Sequence, residues 1–422
     1  MAEVAAIVIL VALLALVIRP PRPWPEVVWA APAAVLVIVT GLESPGEAWN
    51  AVHALLPTLV FLAAILVVGE VAEAAGLFDV AGGRLQEAAH RGPTALLLAV
   101  SAIAVAVTTV LSLDATVVLF TPVVLWVVRG RADRNTTLLA TVFLANGASL
   151  LLPVANLTNL LALDQLGLSF PAFAAHMALP TVVSTVVIVA ACRWLASPAV
   201  VAAPPAGSDG AVPTTERRRA QMTHTGRVVG AGIGVLLVAL VLASLDGIEA
   251  GWVAAIGAGL LGGYALTRGL ARPKRLVRAA SFEFVGFVAC LQIVVDAARR
   301  HGLGDAVADR LPGGQGLGTL LAVAALAAVL ANLVNNLPAT LILLPTLAGR
   351  PVAVVLAMLI GVNVGPNLTY TGSLATLLWR KVVRADRSEP ATGAYYRVTL
   401  LATPAALIAA TVALWVSVLA IG

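Results

Sequence analysis

The chain has 422 residues, of which only 11% are charged and 60% are hydrophobic, and its mean hydropathy is +0.99. A soluble protein of this length needs a charged surface that this composition cannot supply. The net charge of +5 comes from basic residues between apolar stretches, which is typical of cytoplasmic loops and not of nucleic-acid binding. We therefore predict an all-α, polytopic membrane protein with no nucleic-acid partner.

Apolar windows of roughly 20 residues recur along the chain, which is the length that crosses a bilayer core of about 30 Å as a helix. We predict about ten spans, some of them broken. The continuous spans are predicted at 3–18, 25–41, 54–76, 170–196, 227–245, 250–268, 279–298 and 395–420. Re-entrant hairpins are predicted at 93–128 and 315–348, and broken spans at 135–163 and 351–379. The first apolar run has no positively charged start and no small-residue cleavage site, so we expect a retained helix and not a signal peptide.

The basic residues predict the orientation. If the loop containing Arg19 and Arg22 is cytoplasmic, the loops outside the cell carry only four of the 26 Lys and Arg residues. Those four are Arg299, Arg300, Arg310 and Arg350. This bias follows the positive-inside rule, and it requires each hairpin to enter and leave on one side. The N- and C-termini are then predicted to lie outside a bacterial inner membrane.

The two halves of the chain resemble each other. The matching segments are 70–85 with 296–311, 115–119 with 339–343, and 146–161 with 363–378. Because the first hairpin would open inside and the second outside, we predict inverted repeats, which place a solute near the midplane where the halves meet. The predicted domains are scaffold helices over 1–53, repeat 1 over 54–196, a cytoplasmic linker over 197–226, scaffold helices over 227–278, and repeat 2 with the final helix over 279–422.

Polar side chains deep in apolar sequence are costly, and here they cluster at the four predicted breaks. The candidate solute-binding residues are Ser112, Asp114, Thr116, Asn146, Asn156, Thr158, Asn159, Asn335, Asn336, Thr340, Asn363, Asn367, Thr369, Thr371, Ser373 and Thr376. Any one of them is explained equally well as satisfying backbone groups freed by a break or as joining helices. Their clustering at four related breaks favours a solute site.

Three acids are candidates for proton coupling. Asp114 is the one ionisable group at either hairpin tip, a place suited to carrying a proton or binding a cation; the alternative is a carboxylate bonded to neighbouring backbone amides. Glu70 and Asp296 occupy equivalent positions in the repeats and are predicted to relay protons, unless they are ordinary helix-end acids. Cys192 and Cys290 stand apart, so neither a disulfide framework nor a metal site is predicted, and no cofactor is expected.

Several motifs resemble the arsenite/antimonite permease (ArsB) family of the ion transporter superfamily over roughly residues 54–420. They are Ser112-Leu113-Asp114-Ala115-Thr116 with Thr121-Pro122, Ala148-Ser149 with Asn156-Leu157-Thr158-Asn159, Asn335-Asn336-Leu337-Pro338, and Gly365-Pro366-Asn367 with Thr371-Gly372-Ser373. The family's usual Asn-Asp-Gly is here Leu113-Asp114-Ala115, and its usual Ser-Asn is Ala155-Asn156. The resemblance implies a scaffold part and a transport part, often in a homodimer, and a separate ATPase subunit as partner.

The resemblance implies a secondary transporter, not an enzyme, that exports arsenite or antimonite in exchange for protons by alternating access. A sodium/proton antiporter is the alternative, with Asp114 and amide oxygens binding the ion. A dicarboxylate permease fits less well, because a carboxylate at the tip repels a dianion. A membrane scaffold that transports nothing has no need of repeated helix breaks.

Overall fold

The computed structural model describes residues 2–18, 22, 24–196 and 222–421. Within these residues all regular structure is helical, and eight helices are long and apolar enough to cross a membrane. The predicted all-α polytopic fold is therefore confirmed. The predicted linker at 197–226 lies mostly outside the described residues, which resume at Met222.

The helices of the first half lie between Ala2 and Leu195. They are α1 (Ala2–Ile18), α2 (Val27–Val39), α3 (Pro45–Ala74), α4 (Leu77–Arg91), α5 (Pro93–Leu111), α6 (Leu113–Ala115), α7 (Thr121–Val128), α8 (Arg134–Gly147), α9 (Leu157–Leu166) and α10 (Phe170–Leu195). A π-helical turn covers Thr116–Phe120, and a 3₁₀ turn covers Pro153–Ala155.

The described residues of the second half form the same number of helical segments. They are α11 (His224–Leu245), α12 (Ala250–Thr267), α13 (Pro273–Ala279), α14 (Phe282–Ala298), α15 (Gly304–Ala308), α16 (Leu317–Val334), α17 (Asn336–Thr346), α18 (Val352–Val364), α19 (Leu374–Ala385) and α20 (Thr392–Ile421). A π-helical turn covers Arg299–Leu303, and a 3₁₀ turn covers Gly365–Leu368.

Helix α3 begins well before the predicted start at residue 54. Ser44 caps it by accepting a hydrogen bond from the Glu47 amide, and the Glu47 carboxylate accepts one from the Ser44 amide. Pro45 occupies the first helical turn, where its missing N–H costs nothing. This capping box starts the helix in polar sequence, so hydropathy alone places the start too late.

Helix α4 is a short amphipathic helix that the span prediction omits. Its buried residues are Phe78, Gly82 and Leu85, and it leads from the end of α3 to the start of the first hairpin. Gly76 turns the chain into α4 with φ 80°, and Gly302, its match in the second half, has φ 109°. Both positions use a backbone conformation that favours glycine.

Each predicted hairpin enters and leaves at one place. Arg131, just after α7, donates to the carbonyl of Ala89, just before α5, at 3.4 Å. Arg350, just after α17, donates to the carbonyl of Pro312, just before α16, at 3.5 Å. Helix α4, which begins just after the C-terminal end of α3, packs against both α5 and α7, so we infer that the first hairpin opens on the side of that end of α3.

The second hairpin opens near the N-terminal end of α3. The turn after α14, which leads towards this hairpin, is tied there because Arg300 contacts Glu47 at 3.0 Å. The two mouths thus lie at opposite ends of the 30-residue helix α3. The inverted repeat and the domain boundaries remain predictions, and this placement supports them.

The helices pack as two groups. Helices α1, α2 and α3 contact α14, and α3 also contacts α12, whereas α10 packs along α20 and α16 packs along α18. Glycine permits the closest contacts in both groups. A Cβ on Gly251 of α12 would overlap the carbonyl of Pro57 in α3, and one on Gly361 of α18 would overlap the carbonyl of Ala324 in α16.

Candidate functional site

The first hairpin turns at Ser112. Its backbone has φ 119° and ψ 164°, a region that is almost exclusive to glycine, and its hydroxyl accepts a hydrogen bond from the Ala115 amide at 3.4 Å. The hydroxyls of Thr108 and Thr116 are 2.7 Å apart. In a continuous helix, residues eight apart are separated by about 12 Å along the axis, so the chain reverses direction here.

Asp114 lies on the single turn after this reversal. The residue is partly buried, and within the described residues its carboxylate has no hydrogen bond or ion pair. The alternative interpretation, a carboxylate bonded to neighbouring backbone amides, therefore does not match the structure. A partly accessible acid without a partner is available to a proton or a solute.

The second hairpin turns at Asn335 in the same way. Its φ is 80° and its ψ is 157°, and its side-chain oxygen accepts a hydrogen bond from the Leu337 amide at 3.5 Å. The Asn335 side-chain nitrogen donates to the Thr371 carbonyl at 3.2 Å, and the Asn336 amide donates to the Gly372 carbonyl at 2.9 Å. The tip of the second hairpin is therefore bonded to the loop between α18 and α19, where the second broken span is interrupted.

Further bonds join this hairpin to the same loop. Asn332 donates to the Gly365 carbonyl and accepts from the Thr369 hydroxyl, both at 2.8 Å. The hydroxyls of Thr369 and Thr371 are 3.3 Å apart. The Thr340 hydroxyl instead bonds within its own helix, to the Asn336 carbonyl at 2.8 Å. Of these residues, Asn332 is the one that the candidate list omits.

The two broken spans meet through buried amides. The Asn146 side-chain nitrogen donates to Asn367 at 2.9 Å and to Thr376 at 3.0 Å. The Asn363 side-chain nitrogen donates to Asn159 at 2.7 Å. The internal alignment pairs Asn146 with Asn363 and Asn159 with Thr376. When each residue is replaced by its match in the alignment, the Asn146–Thr376 bond becomes the Asn363–Asn159 bond. Two halves that are related by a two-fold axis are expected to show this correspondence.

Asn363 is the most connected of these residues. Its side-chain oxygen accepts from Asn156 at 2.8 Å and from the Thr158 hydroxyl at 2.7 Å. Asn156 also caps α9, and Ser373, its match in the alignment, caps α19 by accepting from the Thr376 amide at 3.1 Å. The half-helices thus begin at related positions inside the protein.

Asn146 differs from Asn363 at its oxygen. Asn146 is 1% exposed, and within the described residues its side-chain oxygen has no hydrogen-bond partner. A buried acceptor without a donor is unfavourable. Among the described residues, the Asn146 oxygen therefore accepts no hydrogen bond, whereas the corresponding oxygen of Asn363 accepts two.

The final helix supports the network, which the sequence prediction did not include. Tyr395 and Thr399 of α20 donate to the Asn367 carbonyl at 2.8 and 2.5 Å. The Asn367 side chain in turn donates to the Phe143 carbonyl at 3.1 Å. Tyr395, Thr399 and Thr403 are spaced four apart in an apolar helix, and this one-sided pattern is the signal that could have identified them.

The other two predicted proton-coupling acids lie away from each other. Glu70 forms an ion pair with Arg275, near the C-terminal end of α3. Asp296 forms ion pairs with Arg299 and Arg300 near the other end, beside Glu47. Glu47 and Glu70 are separated by about 35 Å along this helix. No direct transfer of a proton between Glu70 and Asp296 is possible over that distance.

A cavity of about 680 Å³ lies between the two helix groups. Its wall includes Thr58 and Pro57 of α3, Leu160 and Leu163 of α9, and Ser244 at the end of α11. It therefore reaches the second half-helix of the first broken span from one face of the protein.

The chain is similar in sequence to known membrane transport proteins. A family model described as a citrate transporter (CitMHS) matches residues 4–365. The arsenical pump membrane proteins of Escherichia coli K12 and of Shigella flexneri are each 28% identical over 404 residues, covering 89% of this chain and 90% of the relative. That of Yersinia enterocolitica is 26% identical over 392 residues, with the same coverage. The resemblance to the ArsB family is confirmed by these relatives. Because the family model covers most of the chain, the protein belongs to the citrate transporter family and is a multi-pass membrane transporter.

Proposed function

We propose that the protein exports arsenite or antimonite across a bacterial inner membrane in exchange for protons. The observation that carries this proposal is the unpartnered carboxylate of Asp114, which lies at a helix break in a protein whose broken spans meet through neutral amides and hydroxyls. The names of the relatives support the choice of solute.

The chemistry of the site suits a small, uncharged solute that carries hydroxyl groups. Near neutral pH, trivalent arsenic is present mainly as its trihydroxide, whose O–H groups donate hydrogen bonds. The Asn146 oxygen is a buried acceptor without a donor, and a solute hydroxyl would fill it. Hydrogen bonds from uncharged groups also allow the solute to be released. The two thiols, Cys192 and Cys290, are separate, so they cannot trap the metalloid together.

Asp114 supplies the coupling in this proposal. When it binds a proton from one side, the break becomes neutral; when it releases the proton to the other side, a charge remains in a poorly solvated place. The two protonation states favour different conformations, and a proton gradient then drives the exchange. Glu70 and Asp296 hold a secondary place in this scheme because both are ion-paired.

Organic-anion transport is the second candidate, because the matching family model is described as a citrate transporter. A citrate site needs positive charge to balance the anion. The side chains that join the two broken spans are neutral, and Asp114 is acidic. Sodium/proton antiport needs only oxygen ligands, so it remains an alternative that the same experiment decides.

The test is solute accumulation in everted membrane vesicles under an imposed pH gradient. We expect arsenite accumulation in the native protein, its loss in Asp114→Asn, and no change in Asp309→Asn, which alters an exposed acid. Sodium-dependent collapse of the pH gradient without arsenite accumulation would replace the proposal by antiport. Accumulation of citrate instead of arsenite would replace it by organic-anion transport.

A further inference from the structure

An acid in the turn between α2 and α3 is unexpectedly buried. Glu43 is 1% exposed, and within the described residues neither of its carboxylate oxygens has a hydrogen-bond donor. An ionised carboxylate in such a place loses its hydration and accepts no hydrogen bond in return. The neutral, protonated acid does not carry this cost.

The neighbour of Glu43 is another acid. The carboxylate of Asp296 faces it and is held by Arg299 at 2.6 Å and by Arg300 at 2.7 Å. Two guanidinium groups keep Asp296 ionised. Since two adjacent carboxylates resist ionising together, a proton bound by this pair resides on Glu43.

Four elements supply the charged and titratable groups around this pair. They are Glu3 of α1, which approaches Gly302; Glu47 of α3; Asp296 of α14; and Arg299, Arg300 and His301 of the π-helical turn. His301 bonds the Leu42 carbonyl at 2.8 Å, so the turn closes over Glu43. Burial, followed by the charge of Asp296, raises the pKa of Glu43 to about 7.

We propose that Glu43 is a proton-binding site that donates a hydrogen bond to ionised Asp296. The internal repeat predicts that Asp296 relays a proton. In this proposal Glu43, which lies outside the matching segments, binds the proton instead. The π-helical turn that carries Arg299 and Arg300 leads through α15 to the second hairpin. Release of the proton therefore places a second negative charge beside the base of that hairpin. This inference does not depend on which solute is transported.

The test is infrared difference spectroscopy of the full-length protein between acidic and alkaline pH, in an Asp114→Asn background. We expect a protonated carboxylic acid band that titrates near pH 7. Glu43→Gln, which imitates the neutral acid, should remove this band, and Glu87→Gln, which alters an exposed acid, should not. Asp296→Asn should move the titration to lower pH, because the neighbouring charge is gone.

Two results would overturn the proposal. One is a band that persists in Glu43→Gln protein that elutes as a folded species in size-exclusion chromatography. The other is a titration that Asp296→Asn leaves unchanged, which would mean that the two acids do not share a proton.

Discussion

At the scale of single residues, buried amides connect the halves of this transporter. Asn363 alone binds Asn156, Thr158 and Asn159 at 2.7 to 2.8 Å, and it is fully buried. Each of these partners lies on the first broken span, whereas Asn363 lies on the second. Its side chain therefore stabilises the contact between halves and not only its own helix.

Asn363→Ala should destabilise the protein strongly. It leaves three buried partners with unmade hydrogen bonds, and such groups cost about 1–3 kcal/mol each, so we expect a loss of about 3 kcal/mol or more. The measurement is unfolding in mixed micelles at increasing denaturant. Ser101→Ala is the matched control, since the buried Ser101 hydroxyl has no hydrogen-bond partner among the described residues. An equal loss in both variants would contradict the network.

Glu43 predicts how stability depends on pH. Its pKa is raised from 4.5 to about 7 in the folded protein, so between these values the folded state holds a proton that the unfolded chain has released. Raising the pH then favours unfolding, by about 1.4 kcal/mol per pH unit, and above pH 7 the effect stays constant. Thermal unfolding of Glu43→Gln should lack this slope, and that of Glu87→Gln should keep it. A native protein with no such slope would contradict the prediction.

At the scale of elements, the hairpins share an uncommon way of reversing the chain. Ser112 and Asn335 both have positive φ with an extended ψ, a combination that costs about 1–3 kcal/mol for a residue with a side chain. In each case the side chain caps the following helix, which offsets part of the strain. Such strain at the turn of the hairpin in each half supports the proposal that these turns belong to the solute site.

Asn335→Gly and Asn335→Val should therefore differ sharply. Glycine adopts this backbone freely but loses the cap and the hydrogen bond to the Thr371 carbonyl, both of which valine loses too, so we expect a loss of about 1 kcal/mol. Valine is β-branched and strained here, and we expect a loss of about 2 kcal/mol or more. Thermal unfolding in detergent compares them. Equal stability of the two variants would mean that the hairpin does not turn at Asn335.

At the scale of the whole molecule, the hairpin mouths lie at opposite ends of α3. This arrangement follows from the contacts of Arg131 with Ala89, of Arg350 with Pro312, and of Arg300 with Glu47. It supports the predicted inverted orientation, in which the first mouth faces the cytoplasm. In the proposed alternating access, the breaks are exposed to one face at a time.

Cysteine labelling tests this orientation. In a background with Cys192 and Cys290 replaced by alanine, Gln86→Cys and Gln315→Cys place one thiol near each mouth, at exposed positions. We expect a membrane-impermeant maleimide to label residue 315 in intact cells and residue 86 only in everted vesicles. Labelling of both residues from one side would disprove the inverted repeat.

The sequence alone determined the membrane class, the helix breaks and most of the polar residues near them. Hydropathy and internal repetition are local properties of the chain, so they reveal helices such as α5 and α16 and the alignment of Asn146 with Asn363. A polar residue in apolar sequence is visible without any structure because its cost arises from the bilayer.

Only the tertiary structure decided which groups are satisfied. Asp114 and Asn363 are both polar residues at helix breaks, yet in the part of the chain that the structure describes Asp114 has no partner and Asn363 has three. In the sequence Glu43 resembles an ordinary loop acid, and only the structure shows that α14 and the turn after α14 bury this side chain. Hydrogen bonding and desolvation depend on neighbours that are distant in the chain, such as Tyr395 for Asn367. Local sequence patterns do not reveal which distant residues come into contact.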